Sequence, residues 1–210
     1  MKKEIRAFDF EVRAEQNEEH GHFLTGQPIV YGTETELYHP IRGRFIEVID
    51  DGALTDTDLK DVRFLVNHNT DMIPLARSRN NNENSTMQLM VVPGVGMMIR
   101  VDLDTENNAE ARSLYSAVER GDISGMSFMF TVDKEHWEDA RGELPVRHVR
   151  SIARVLEVSA VTFPAYETSS IQTRGLSEAL ESAWDSLDSE RARLDEIDRR
   201  KQKIRILAEV

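Results

Sequence analysis

A serine in the middle of the chain has the surroundings of a nucleophile. Ser127 lies in the stretch Gly121–Phe130, where the helical spacing of apolar residues changes to a period of two. In a strand of this pattern the large apolar residues share one face and Ser127 lies on the other. Gly125 leaves open space beside the hydroxyl, and a backbone N–H is near. The same pattern also fits a structural strand serine that is hydrogen-bonded to a neighbour.

A histidine closes another predicted strand, which covers residues 62–68. Val62, Phe64, Val66 and His68 share one parity, so the imidazole ends the apolar face. A histidine in this place is rigid on one side and reachable on the other, as a general base must be. The alternative is a half-exposed histidine at the end of a strand.

A carboxylate interrupts the most apolar predicted strand, which covers residues 152–163. Both faces of this strand carry apolar groups, so we expect it to be central and buried. Glu157 shares the parity of its valines, where a carboxylate is costly unless it is paired. The candidate partners are Arg154 or Arg77 in a structural ion pair, or the imidazole of His68.

A nucleophile, a base and an acid that orients the base are the parts of a serine hydrolase triad. Here their order in the chain is His68, Ser127, Glu157. Residues 125–129 lack the second glycine of a Gly-x-Ser-x-Gly elbow, and no strand-to-helix turn follows. The pattern therefore argues against an α/β-hydrolase.

The rest of the pattern predicts the elements that must hold these side chains. Further strands are expected over residues 4–13, 23–32, 45–49, 87–92, 95–103 and 123–130. Helices are expected over residues 55–61 and 106–120, the second with Thr105 as its N-cap. The charged segment 134–141 reads as a surface excursion.

A long amphipathic helix is predicted after Arg174. Its apolar residues keep two heptad positions, which is typical of a coiled coil. They are Leu176, Ala183, Ile197 and Ile204 at one position, and Leu180, Leu187 and Leu194 at the other. We therefore divide the chain into a core, residues 1–173, and a helical tail, residues 174–210. The seam predicts a homo-oligomer or docking on a scaffold.

Composition excludes several classes of function. The 210 residues carry a net charge of −12, which argues against a nucleic-acid partner. Cysteine is absent, so neither disulfides nor a thiolate nucleophile are possible. No signal peptide or membrane-length apolar run is seen, so no membrane partner is expected. His20, His22 and His39 read as loop histidines, and we expect no metal and no cofactor.

Four segments in order resemble the prohead maturation proteases of tailed bacteriophages, a family similar in fold to the herpesvirus assembly protease. They are Phe45–Leu54, Phe64–Asn69, Gly121–Phe128 and Leu156–Ala165. The resemblance covers roughly residues 5–173. It implies an α+β fold, namely a closed, mainly antiparallel β-barrel surrounded by helices, here followed by the long C-terminal helix.

The resemblance also implies a function. It makes Ser127 the nucleophile and His68 the base of an endopeptidase that cuts scaffold segments of the major capsid protein, and also itself. This cleavage would occur inside the assembling procapsid, in the host bacterial cytoplasm. Glu157 is the expected third member, and His148 is the alternative because herpesvirus enzymes use a second histidine. Ala76 stands where the family commonly has glycine, which leaves the oxyanion donors open. Arg77 or Arg79 could support them, or they could be solvated loop arginines.

A second hypothesis comes from a different class of protein. The chain could be a non-enzymatic capsid-assembly or scaffolding protein that uses the helical tail as a binding arm. Such a protein would not need a buried glutamate, a strand-end histidine and a strand serine together.

Overall fold

The computed structural model describes residues 3–8, 12–18, 21–162 and 174–208. These residues are mostly β, with two α-helices. The strands are β1 Glu4–Phe8, β2 Val12–Asn17, β3 Gly21–Val30, β4 Thr35–His39, β5 Gly43–Ile49, β6 Arg63–Val66, β7 Ala76–Arg77, β8 Met87–Val92, β9 Gly96–Asp102, β10 Gly125–Glu138 and β11 Val146–Val161. The helices are α1 Ala109–Glu119 and α2 Arg174–Ala208, and Arg79–Asn81 forms a short 3-10 helix.

A seven-stranded mixed sheet is built around β10 and β11, which pair antiparallel over most of their length. Strand β1 pairs with the free edge of β10. The other edge of β11 is shared: Val146–Val149 pair with β5 and Glu157–Ala160 with β6, both in parallel. Strand β4 extends the sheet beyond β5, and β7 extends it beyond β6. The prediction that the strand around Glu157 is central is confirmed.

The predicted closed barrel ringed by helices is wrong. Closure requires the two outermost strands of a sheet to pair with each other. In the described residues β1 pairs only with β10, and β4 only with β5, so this sheet stays open. The cause is the length of β11, whose second edge divides between two parallel partners instead of continuing around a barrel. The long C-terminal helix, by contrast, is present.

A second sheet has four antiparallel strands in the order β2-β3-β9-β8. The hairpin predicted around Pro93 and Gly94 joins β8 to β9 and is confirmed. The main hydrophobic core includes residues of both sheets and the buried face of α1. That helix begins one turn later than predicted, because Asn108 and not Thr105 caps it and accepts the N–H groups of Glu110 and Ala111. It ends before Gly121, whose φ of +78° suits glycine.

Helix α2 packs on the seven-stranded sheet through a second core cluster. Its buried residues are Leu180, Ala183, Trp184 and Leu187, and those of the sheet side are Leu37, Phe45, Trp137 and Ala140. Residues 198–208 are exposed. The division into residues 1–173 and 174–210 stays a prediction. Neither helix has the length and apolar character that crossing a membrane requires.

Candidate active site

His68 is held by a tight turn and not by a strand, since β6 ends at Val66. The N–H of Asn69 donates to the carbonyl of Val66 at 3.1 Å, and both residues between them have positive φ (52° for Asn67, 56° for His68). Asparagine and histidine are among the residues that tolerate this conformation best. The Asn67 amide also bonds Thr162, donating to its hydroxyl at 3.0 Å and accepting its backbone N–H at 2.9 Å. The turn is thereby tied to the end of β11.

Ser127 lies on β10 between two neighbours, opposite Ala7 of β1 on one side and Ser159 of β11 on the other. Its side chain is fully buried. Its Oγ lies 2.5 Å from Nε2 of His68 and 2.7 Å from the carbonyl oxygen of Arg6. The hydroxyl carries one proton, so it can donate to only one of these two acceptors at a time.

Glu157 completes a line of hydrogen bonds. Its Oε1 lies 2.5 Å from Nδ1 of His68, and its side chain is almost completely buried. Its Oε2 accepts the hydroxyl of Ser159 at 2.6 Å, and that same hydroxyl oxygen accepts the backbone N–H of His68 at 3.1 Å. Ser159 therefore fixes both the carboxylate and the backbone of the histidine. Sequence reasoning missed this residue, although its spacing of two from Glu157 on a strand puts both on one face.

The ion-pair alternatives for Glu157 are not found. Within the described part of the chain, Arg154 approaches Asp58 and Arg77 bonds Asp61, and Glu157 has no arginine partner. Arg77 is also one of the two arginines considered for an oxyanion site. The other, Arg79, donates to the backbone carbonyl of Asn84.

His148 lies elsewhere on β11, nine residues before Glu157. Nine strand residues span about 30 Å. Its Nδ1 is 2.8 Å from Asp50 Oδ1, and its Nε2 is 3.7 Å from Glu138 Oε1. The structure thus brings Ser127 and Glu157 to His68 and does not bring His148 there.

The remaining histidines considered as ligands are not clustered in the described residues. His22 bonds the hydroxyl of Thr105, and Nδ1 of His39 accepts the backbone N–H groups of Ile41 and Arg42. His20 lies outside the described residues. Across the described ranges, no group of three or more acidic or histidine side chains could hold a metal ion.

A buried charge cluster anchors β1 beside Ser127. It consists of Glu4 and Arg6 of β1, Glu47 of β5 and Arg147 of β11, each at most 2% exposed. Arg6 bonds Glu47 at 2.5 and 2.8 Å and Glu4 at 2.6 Å, and Arg147 bonds both glutamates at 2.6–2.9 Å. Glu135 of β10 joins Arg147 at the edge of the cluster.

Glu4 remains charged in this cluster although it is buried. Burial alone would raise the pKa of Glu4, but the guanidinium groups of Arg6 and Arg147 outweigh it and hold that pKa below its ordinary value. Glu4 therefore stays ionised in the interior. Breaking such a cluster by removing one member leaves a buried charge without its partner, which is strongly destabilising.

The arrangement at His68 is suited to proton transfer. A carboxylate that accepts Nδ1–H leaves the lone pair of Nε2 free to face a hydroxyl. A serine, a histidine and a carboxylate joined in this order are the constellation of serine hydrolases, which recurs on unrelated folds. The open mixed sheet is therefore no objection to such chemistry.

Comparison with known families gives this chemistry a context. The family model described as caudovirus prohead serine protease matches residues 8–182, a span that includes all three side chains. The chain belongs to this family. Comparison with curated proteins and with solved structures gave no match.

Proposed function

We propose that the chain is a serine endopeptidase that cleaves scaffold segments of capsid proteins, and itself, during maturation of a phage procapsid. The observation that carries the proposal is the continuous hydrogen-bonded line from Ser127 through His68 to Glu157, in a chain of the prohead protease family. The catalytic roles of the three residues are part of this proposal.

In this mechanism the Ser127 hydroxyl turns from the Arg6 carbonyl to Nε2 of His68 and loses its proton as Oγ attacks the scissile carbonyl. His68 then gives that proton to the leaving amine, which leaves an acyl-enzyme. A water molecule, activated by the same imidazole, hydrolyses the ester. Glu157 holds the Nδ1–H tautomer and stabilises the imidazolium. Ser159 acts as a positioning residue, since it holds the carboxylate.

Replacement of the nucleophile is the direct test. Ser127→Ala should lower cleavage by about 10⁴-fold or more, while losing one hydroxyl costs at most about 1–3 kcal/mol of stability. Purified protein is incubated alone and with co-expressed capsid precursor, and products are mapped by mass spectrometry. Ser151→Ala, a change on β11 far from His68, is the matched control and should cleave as wild type does.

Covalent labelling gives an independent readout. A small serine-directed phosphonate should modify Ser127 in wild type and nothing in Ser127→Ala. A folded Ser127→Ala protein that still cleaves at the wild-type rate would overturn the mechanism.

The exposed end of α2 supports the proposed partners. Ile204, Ile206 and Leu207 are 56–76% exposed within about one turn of the basic helix end, where their apolar side chains are available to a partner. We assign this end to docking on the major capsid protein's scaffold segment or on a second copy of the chain, inside the procapsid in the host cytoplasm.

The non-enzymatic alternative makes a different prediction. An assembly protein that uses only this arm would bind the capsid precursor, yet Ser127 would take no phosphonate and no cleavage would occur.

A further inference from the structure

A cleft of about 490 Å³ opens between the His68 turn and helix α1. One wall consists of Asn67 and Asn69, the two residues that flank His68, and the other is the face of α1 that carries Ser113 and Ala117. Ile123, four residues before Ser127, closes one end. The volume falls in the range of sites that take small molecules or side chains.

Several polar groups of this cleft are already engaged within the protein. Both ends of the Asn67 amide bond Thr162, and the Ser113 hydroxyl donates to the carbonyl of Ala109 at 2.9 Å. Asn69 accepts the backbone N–H of Asp71 at 3.1 Å. The cleft presents mainly carbon to a ligand, because most of its lining residues are apolar, namely Val66, Met72, Ala109, Leu114, Ala117 and Ile123.

Negative charge at the edge of the cleft disfavours an acidic substrate side chain. Glu110 is exposed at the edge of the cleft, and the chain as a whole carries a net charge of −12. An acidic side chain would be repelled there. A long apolar side chain suits the carbon-lined interior.

The cleft lies next to the segments of chain that carry His68 and lead to Ser127. One wall is the turn that carries His68, the other is helix α1, and Ile123 lies in the α1–β10 connection that leads to Ser127. We expect a polypeptide whose scissile bond reaches Ser127 to pass beside these segments, so that one of its side chains can enter the cleft.

We propose that this cleft is a specificity subsite that takes one large apolar side chain, of the leucine, methionine or phenylalanine class, from the substrate polypeptide. This subsite proposal rests on the proposed protease function. It specifies which substrate side chain the protease would prefer.

Cleavage-site profiling is the first test. Wild-type protein is incubated with a mixed peptide library, and products are sequenced by mass spectrometry. One position at a fixed distance from the scissile bond should be enriched in large apolar residues. Replacing that residue by aspartate in a defined peptide should lower kcat/KM by roughly 10- to 100-fold, mainly through KM.

A cleft-filling variant is the second test. Ala117→Phe places a ring in the cleft and should cost a similar 10- to 100-fold in kcat/KM for the apolar peptide. Glu119→Phe is the matched control, because it adds the same ring to the same helix at an exposed position outside the cleft. It should cleave within about twofold of wild type.

Phosphonate labelling tests the proposed protease function separately from the proposed subsite. The reagent is too small to need the cleft, so Ala117→Phe should label at Ser127 at the wild-type rate. Absence of labelling in wild type would overturn the proposed function and the subsite with it. Normal labelling and cleavage with no apolar preference, or with Ala117→Phe at wild-type kcat/KM, would overturn the subsite alone.

Discussion

Replacing Glu157 by glutamine changes one acceptor into a donor with almost no change in size. Two groups donate to this carboxylate in the structure, Nδ1–H of His68 at 2.5 Å and the hydroxyl of Ser159 at 2.6 Å. An amide offers one oxygen and one NH₂, so one of the two groups must meet an N–H. When that group is the imidazole, its proton moves to Nε2 and the ring can no longer accept the proton of Ser127.

The loss of kcat in Glu157→Gln depends on the orientation of the new amide group. A carboxylate-to-amide change in a serine protease triad costs about 10⁴-fold in kcat when the wrong tautomer is enforced. Here the Ser159 hydroxyl can rotate and accept from the amide, which keeps the productive tautomer for part of the molecules. We therefore expect Glu157→Gln to lose between about 10² and 10⁴-fold in kcat, less than Ser127→Ala does.

The assay combines peptide cleavage with urea unfolding of the same preparations. Asp50→Asn is the matched control, since it makes the same change in another carboxylate–histidine pair, the contact with His148. It should leave kcat within about twofold of wild type. Wild-type turnover by Glu157→Gln would remove this residue from the mechanism. A large loss in Asp50→Asn or His148→Ala would make His148 the third member.

Three further predictions concern the surroundings of the site. Ser159→Ala loses its bonds to the carboxylate and to the histidine backbone, and should lower kcat roughly 10- to 100-fold at a stability cost of about 1–3 kcal/mol, measured by kinetics and urea titration. Trp184→Ala should lower the unfolding free energy by about 3–5 kcal/mol, whereas Ile206→Ala, at an exposed position, should change it by less than about 0.5 kcal/mol. Because the pKa of Glu4 is held below its ordinary value, its stabilising contribution is full at neutral pH and is lost as pH falls through the lowered folded-state pKa. The unfolding midpoint of Glu4→Gln should therefore fall less steeply than that of wild type as pH drops below the ordinary glutamate value of about 4.3.

Local pattern marked the three side chains as candidates, each by a weak signal. The period of two around Ser127, and the misfit of a charged group among the valines near Glu157, are properties of a short segment and survive in the structure. The exact support of His68 was not predictable in the same way. Its turn depends on two residues with positive φ and on Thr162, which is distant in sequence.

Long-range pairing is where sequence reasoning failed. Nothing within residues 146–161 indicates that this one strand takes two parallel partners, yet that choice decides between an open sheet and a barrel. The charged segment 134–141 likewise reads as a loop by itself. In the structure β10 continues to Glu138, because Trp137 is buried against Phe45 in the cluster that α2 covers. Helix 55–61 is absent, and turns and a single bridge to Arg154 occupy that region.

The carbonyl of Arg6 holds the proposed nucleophile in a resting orientation. Its oxygen accepts the Ser127 hydroxyl at 2.7 Å, and Nε2 of His68 lies 2.5 Å from the same Oγ. Because the hydroxyl has one proton, each turnover of the proposed protease begins with an exchange of acceptors, from this carbonyl to the imidazole. The buried cluster that anchors β1 keeps the competing acceptor in place. The rate at which a phosphonate labels Ser127 would then include the fraction of time that the hydroxyl faces His68.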